Sequence, residues 1–103
     1  MKDYDENNYN IFIDIDETLT FDEGITFVKE GIDFIKENSN KANFYIWSQG
    51  GINYVHKIVE KANIENYIVG VIPKPDFIID DLKFNQLSNE FYPNWEKLKK
   101  IIK

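Results

Sequence analysis

Residues 11–20 read IFIDIDETLT, an apolar run that ends in two aspartates separated by a single residue. A run of large apolar residues bounded by polar sequence predicts a strand that is buried on both faces of a parallel sheet. In open α/β sheets, ligands bind just beyond the carboxyl ends of the strands, so Asp14 and Asp16 fall where a site is expected. Residues two apart in an extended chain point the same way, so both carboxylates should face one small volume.

Two carboxylates held this close destabilise each other unless a cation or a proton relieves them. One interpretation is that the pair holds a hard divalent ion such as Mg2+. Another is that one carboxylate stays ionised as a nucleophile while the other carries a proton as a general acid. The two uses are compatible, and an acidic turn that is merely solvated is the structural alternative.

Composition narrows the class of protein. The chain has 103 residues, of which 43% are hydrophobic, as expected for one globular domain. A formal net charge of -6 argues against broad binding to nucleic acid or to an anionic membrane. A phosphorylated ligand, including a phosphorylated nucleic-acid end, stays compatible because a bound metal reverses the local field. With no cysteine, no membrane-spanning stretch and no signal peptide evident in the sequence, we expect a cytoplasmic protein.

Apolar runs and helical patterns alternate along the chain. Strands are predicted at residues 9–15, 44–47, 68–72 and 77–79, and helices at residues 26–38, 52–62 and from about residue 94. Residues 18–24 are long enough for a turn and a small hairpin. Residues 82–93 lack a clear period, although their large apolar side chains must cover something: Leu82, Phe84, Leu87, Phe91 and Tyr92. The alternation predicts a three-layer α/β sandwich over residues 1–103, with a mostly parallel sheet of four or five strands and helices on both faces.

Polar residues follow every predicted strand, and in a parallel sheet these ends share one edge. The residues are Asp14 and Asp16 after the first strand, Ser48 after the second, Lys74 after the third, and Asp80 and Asp81 after the fourth. Acidic clusters suit octahedral Mg2+, whereas a hydroxyl, a lysine and backbone N–H groups suit a phosphate.

The turn after the second strand, residues 48–51, adds backbone donors to this edge. Because Gly50 and Gly51 lack side chains and precede a helix, their amides can approach an anion with help from the helix dipole. A carboxylate that can attack phosphorus, a metal site and a phosphate cradle together predict phosphoryl transfer.

These residues resemble the four motifs of the haloacid dehalogenase-like (HAD) superfamily of phosphohydrolases. Residues 14–19 look like its first motif, Ser48 its second, Lys74 its third and residues 77–81 its fourth, in the family's order. Glu17 stands where many members have glycine. The resemblance implies a HAD-like Rossmann-type core and a Mg2+-dependent phosphatase that acts on a phosphomonoester.

The resemblance also implies a role for each matching residue. Asp14 would form an aspartyl-phosphate, and Asp16 would act as general acid and base. Lys74, with Lys83 as the competing candidate, would hold the phosphoryl oxygens and offset the carboxylate charge. The implied substrate-binding residues are Ser48, Gln49, Gly50 and Thr18. The implied Mg2+ ligands are Asp14, Asp16 through its backbone carbonyl oxygen, and Asp80 and Asp81, with one of the last two as the direct ligand.

The segments between the motifs are too short for a cap domain, so the chain resembles a capless member of the superfamily. Its site would be open to a bulky phosphorylated substrate unless another subunit of a homo-oligomer covers it. Two alternatives stay open. One is a phosphoacceptor signalling domain, against which stands the position of Lys74 before the second acidic pair. The other is a catalytically silent member that binds phosphate.

Overall fold

The computed structural model describes residues 1–83 and 90–103 and has the architecture of a small α/β domain. Along the chain the elements are β1 (Tyr9–Asp14), β2 (Thr20–Phe21), β3 (Thr26–Phe27), α1 (Lys29–Asn38), β4 (Ala42–Trp47), α2 (Ile52–Ala62), β5 (Gly70–Val71) and α3 (Trp95–Ile101). A parallel sheet has the strand order β1-β4-β5, and β2 and β3 form a separate antiparallel hairpin. The α/β class therefore agrees with the sequence prediction, and the small hairpin predicted within residues 18–24 forms over residues 20–27.

The hydrophobic core lies on one face of the sheet. In the register of β1 and β4, Ile11 pairs with Phe44 and Ile13 pairs with Ile46, and these residues belong to the core or pack against it. The alternate residue Phe12 is 47% exposed. Right-handed connections that run in one direction across a sheet put their helices on the same side. The prediction that the first strand is buried on both faces is therefore wrong, because α1 and α2 cover the same face.

The helices follow the sequence pattern closely. α2 has the predicted bounds and ends at Asn63, whose left-handed φ of 56° closes the last turn. α1 begins at Lys29 rather than near residue 26, because residues 26 and 27 pair with β2 instead. The side chain of Asn94 caps α3 by accepting a hydrogen bond from the amide of Lys97 at 3.0 Å. Within residues 1–83 and 90–103, no helix combines the length and the apolarity needed to cross a membrane.

The segment after β5 departs most from the sequence prediction. The predicted strand at residues 68–72 shortens to Gly70–Val71, and Pro73 and Pro75, which cannot donate to a sheet, follow it. Residues 77–79 form no strand, and Phe77 and Ile79 are 89% and 99% exposed. A sheet of four or five strands between two helical layers is thus not confirmed by the parts of the chain that the structure describes.

The same region contains the residues expected to cover apolar surface. Leu82 and Tyr92 are exposed, at 50% and 86%, so that prediction is wrong for both side chains. Phe91 is half-buried. Phe84 and Leu87 lie outside the described residues. Core coverage comes instead from α3 and the residue after it: Trp95 and Ile102 are buried, and Leu98 packs against the core.

Candidate active site at the carboxyl end of the sheet

The structure brings Lys74 and Asp14 together at the carboxyl end of β1. Asp14 is the last residue of β1 and pairs with Trp47, the last residue of β4. Lys74 follows β5, and its Nζ lies 3.4 Å from Oδ1 of Asp14 and 5.9 Å from the centre of the Trp47 ring. The side chains of Lys74 and Asp14 are 34% and 30% exposed. The ion pair is therefore partly shielded from solvent but still open on one side.

Asp16 lies in a tight turn directly after β1. The carbonyl oxygen of Ile15 accepts hydrogen bonds from the amides of three residues that follow, Thr18, Leu19 and Thr20. Glu17 has a φ of 63°, a left-handed conformation that favours glycine. This is the position at which many members of the HAD superfamily, which the motifs resemble, have glycine. The backbone amide of Thr18 donates its hydrogen bond within this turn. The Thr18 hydroxyl group has no hydrogen-bond partner among residues 1–83 and 90–103. The turn thus presents Asp16 beyond the strand end while Ile15 stays in the core.

Tyr54 is a site residue that the sequence analysis missed. Its hydroxyl donates a hydrogen bond to Oδ1 of Asp16 at 2.7 Å. Burial, followed by the hydrogen bond and the negative charge of Asp16, raises the pKa of Tyr54 to about 12, with smaller contributions from Glu23 and Asp14. The phenol therefore keeps its proton at neutral pH. One signal could have found it: Tyr54 lies in the first turn of the helix that follows the second predicted strand, at the same sheet edge.

The side chain of Ser48 closes the turn between β4 and α2. Ser48 is buried, and its Oγ accepts a hydrogen bond from the amide of Gly50 at 3.0 Å. Gln49 and Gly50 are exposed, and Gly51 enters α2 with a φ of 95°. The Gly50 amide, predicted to face a phosphate, is thus paired with Ser48, so a phosphate contact by Ser48, Gln49 or Gly50 stays a prediction.

Asp80 and Asp81 do not join the other two aspartates in this structure. Across the described ranges, no three acidic or histidine side chains form a group that could hold a metal ion. Asp80 is exposed, and its Oδ1 accepts a hydrogen bond from the amide of Leu82 at 3.1 Å, which lowers the pKa of Asp80. Mg2+ often takes only one or two protein carboxylates together with water and substrate phosphate. The Asp14 carboxylate and the backbone carbonyl oxygen of Asp16 are donors of the type that Mg2+ takes, and Mg2+ binding there, like the role of Asp80 and Asp81, stays a prediction.

The arrangement gives the two carboxylates different partners. Asp14 faces an ammonium group, and Asp16 faces a neutral phenol. Comparison of the chain with models of protein families, with curated proteins and with solved structures gives no match. The contacts of Asp14 and Asp16 and the motif resemblance are therefore the observations that bear on function.

Proposed function

We propose that the protein is a Mg2+-dependent phosphatase that hydrolyses a phosphomonoester through an aspartyl-phosphate on Asp14, with Asp16 as general acid and base. The observation that carries this proposal is the 3.4 Å contact between Nζ of Lys74 and Oδ1 of Asp14. A phosphate dianion is repelled by a bare carboxylate, and a fixed ammonium group beside the nucleophile offsets that repulsion. A phosphoryl oxygen can then approach Lys74 while phosphorus approaches Asp14.

The proposed reaction has two displacements at phosphorus. A carboxylate oxygen of Asp14 attacks phosphorus, the bond to the ester oxygen breaks, and Asp16 gives its proton to the departing alcohol. Water then attacks phosphorus and passes a proton to Asp16, and the bond between phosphorus and the Asp14 oxygen breaks. The sum is one ester and one water consumed, and one alcohol and one phosphate released, with both aspartates restored.

The carboxylate of Asp14 and the backbone carbonyl oxygen of Asp16 would hold the Mg2+ ion, which when bound would neutralise charge on the transferring phosphoryl group. The proposal also includes a sheet of more than three strands with helices on both faces. β1 forms one edge of the three-stranded sheet, and residues 77–79 are an apolar run left in solvent. A fourth strand formed by residues 77–79 along the β1 edge would bring Asp80 and Asp81 nearer to Asp14. A second helical layer would then cover the face that carries Phe12.

Hydrogen exchange measures this finer proposal. We expect the amides of residues 77–79 and of β1 to gain protection when Mg2+ and vanadate are added, while amides of the β2–β3 hairpin serve as the internal reference. Unchanged exchange at residues 77–79 under saturating Mg2+ would show that the sheet keeps three strands there.

Substitution of the nucleophile tests the function itself. With Mg2+ and p-nitrophenyl phosphate, the wild-type protein should release phosphate repeatedly, and Asp14→Asn should lose turnover while its circular dichroism spectrum is retained. The matched control is Asp33→Asn, which removes an aspartate that pairs with Lys29 on the outer side of α1. Full activity in Asp14→Asn would refute the nucleophile. A stable phosphoryl group on Asp14 without turnover would favour a signalling domain instead.

A further inference from the structure

The side chain of Asp16 has a dedicated partner. Its backbone is fixed by the hydrogen bonds that the Ile15 carbonyl oxygen accepts, but those bonds leave the side chain free to change rotamer. The hydroxyl of Tyr54, 2.7 Å from Oδ1 of Asp16, fixes that remaining freedom. Since Oδ1 is occupied by the phenol, Oδ2 is the oxygen left to transfer a proton.

The ring of Tyr54 lies where Gly50 has no side chain. A Cβ atom at Gly50 would lie 2.8 Å from Cδ2 of Tyr54, a distance shorter than normal contacts between side-chain atoms. A Cβ atom at Gly24 would meet Ile58 first, at 2.6 Å from Cδ1, and would also lie 3.0 Å from the Tyr54 hydroxyl oxygen. The turn before α2 therefore leaves space for the Tyr54 ring, and the link between β2 and β3 leaves space for Ile58 and for the Tyr54 hydroxyl group.

We infer that Tyr54 is the positioning residue of Asp16, and that its hydroxyl holds the carboxylate in the rotamer that delivers a proton to the departing alcohol. The inference rests on the proposed phosphatase function and adds a residue that none of the four motifs contains. Tyr54 itself makes no contact with the reacting atoms in this scheme. It acts only through the orientation of Asp16.

This role predicts a dependence on the leaving group. Proton donation matters most when the departing alcohol is a poor leaving group, and least when it departs as a stable aryl oxide. Loss of the Tyr54 hydroxyl should therefore slow hydrolysis of an alkyl phosphate far more than hydrolysis of p-nitrophenyl phosphate. A tyrosine that merely supports the fold would change both rates by the same factor.

The test compares Tyr54→Phe, which keeps the ring, with wild-type protein and with Tyr67→Phe, which changes a half-buried tyrosine in the short turn that follows α2. With saturating Mg2+, we expect Tyr54→Phe to lower kcat/KM for an alkyl phosphate at least about tenfold and for p-nitrophenyl phosphate less than about threefold. Tyr67→Phe should match the wild type on both esters. Equal losses on the two esters in Tyr54→Phe, or no loss on either, would overturn the inference.

A second measurement separates this inference from the proposed function. The side-chain carboxyl carbon resonance of Asp16, followed by NMR at one fixed pH, should move in Tyr54→Phe and stay in place in Tyr67→Phe. If the wild type hydrolyses neither ester and the resonance moves, the phosphatase proposal fails while the pairing of Tyr54 with Asp16 stands. If the enzyme is active and the resonance does not move, the positioning role fails and the phosphatase proposal stands.

Discussion

Nζ of Lys74 reaches Oδ1 of Asp14 across the whole width of the parallel sheet, although the two residues are 60 positions apart. Asp14 ends one edge strand, β1, and Lys74 follows the other edge strand, β5. The lysine side chain crosses the ring of Trp47, which ends the strand between them. Contact with the ring face favours the cation and guides it to the carboxylate.

Replacing this lysine tests the charge at the nucleophile. We expect Lys74→Met to lower kcat/KM for p-nitrophenyl phosphate by about 10²–10³, the cost of removing one stabilising group from a phosphoryl-transfer site. The control is Lys36→Met, because Lys36 also lies over an aromatic ring, that of Tyr67, but belongs to α1 and not to a segment that follows a strand of the parallel sheet. Comparable activity in the two variants would contradict the assigned role of Lys74.

Alkaline stability reports on Tyr54 without any assay of activity. Burial and Asp16 raise its pKa from 10.0 to about 12, so the folded chain keeps the phenol proton between these pH values while the unfolded chain loses it. The resulting stabilisation is fully present below pH 10 and is lost as the pH rises through about 12. Urea unfolding should show a shallower decline in that window for Tyr54→Phe than for Tyr67→Phe. Parallel curves would mean that the hydroxyl of Tyr54 is not paired.

The space at Gly50 can be filled directly. Gly50→Ala places a Cβ atom 2.8 Å from the Tyr54 ring, and we expect it to lower the free energy of unfolding by about 1–3 kcal/mol. In Gly70→Ala the new atom would lie 3.4 Å from the Tyr45 ring, an ordinary contact, so stability should hold or rise slightly. Chemical denaturation followed by circular dichroism measures both. A harmless Gly50→Ala would show that the tyrosine can move aside.

Trp95 tests how much of the core α3 supplies. Its ring lies 5.4 Å from that of Phe34, and it is 7% exposed. We expect Trp95→Ala to cost about 3–5 kcal/mol in the free energy of unfolding. Tyr92→Ala, which truncates an aromatic side chain that is 86% exposed, should cost little and serves as the control. Similar losses in both would indicate that α3 docks differently.

Local signals in the sequence were enough to locate several elements. The apolar spacing in residues 52–62 and the stop at Asn63 predicted α2 with its observed bounds. The run that ends at Asp14 predicted β1 in the same way. These elements could be predicted because hydrophobic period and end residues act over a few positions.

Other features depend on the order of strands in the sheet, which hydrophobic periodicity does not encode. Phe12 looks like a core residue in sequence, yet the order β1-β4-β5 puts both crossover helices on the opposite face. The run at residues 77–79 resembles a buried strand equally well, but a strand also needs a partner, and its sequence does not supply one.

The residues of the candidate site likewise differ in whether local sequence identifies them. Asp14 and Asp16 could be identified by their position at a strand end, and Lys74 by its place in the motif order. No sequence pattern identified Tyr54, since a single tyrosine near a helix start usually packs or faces solvent. Its contact with Asp16 exists only in the folded chain, where the first turn of α2 meets the turn after β1.

Neighbouring strands of the parallel sheet follow the order of the chain, and this has a consequence for biosynthesis. β1, β4 and β5 can be laid side by side as each leaves the ribosome, so assembly need not wait for a distant partner. Trp95 and Ile102, however, come from the end of the described chain. A nascent chain would therefore keep part of its apolar interior uncovered until residues 95–102 have been synthesised, and the time taken to translate residues 72–102 would set how long it is vulnerable to aggregation.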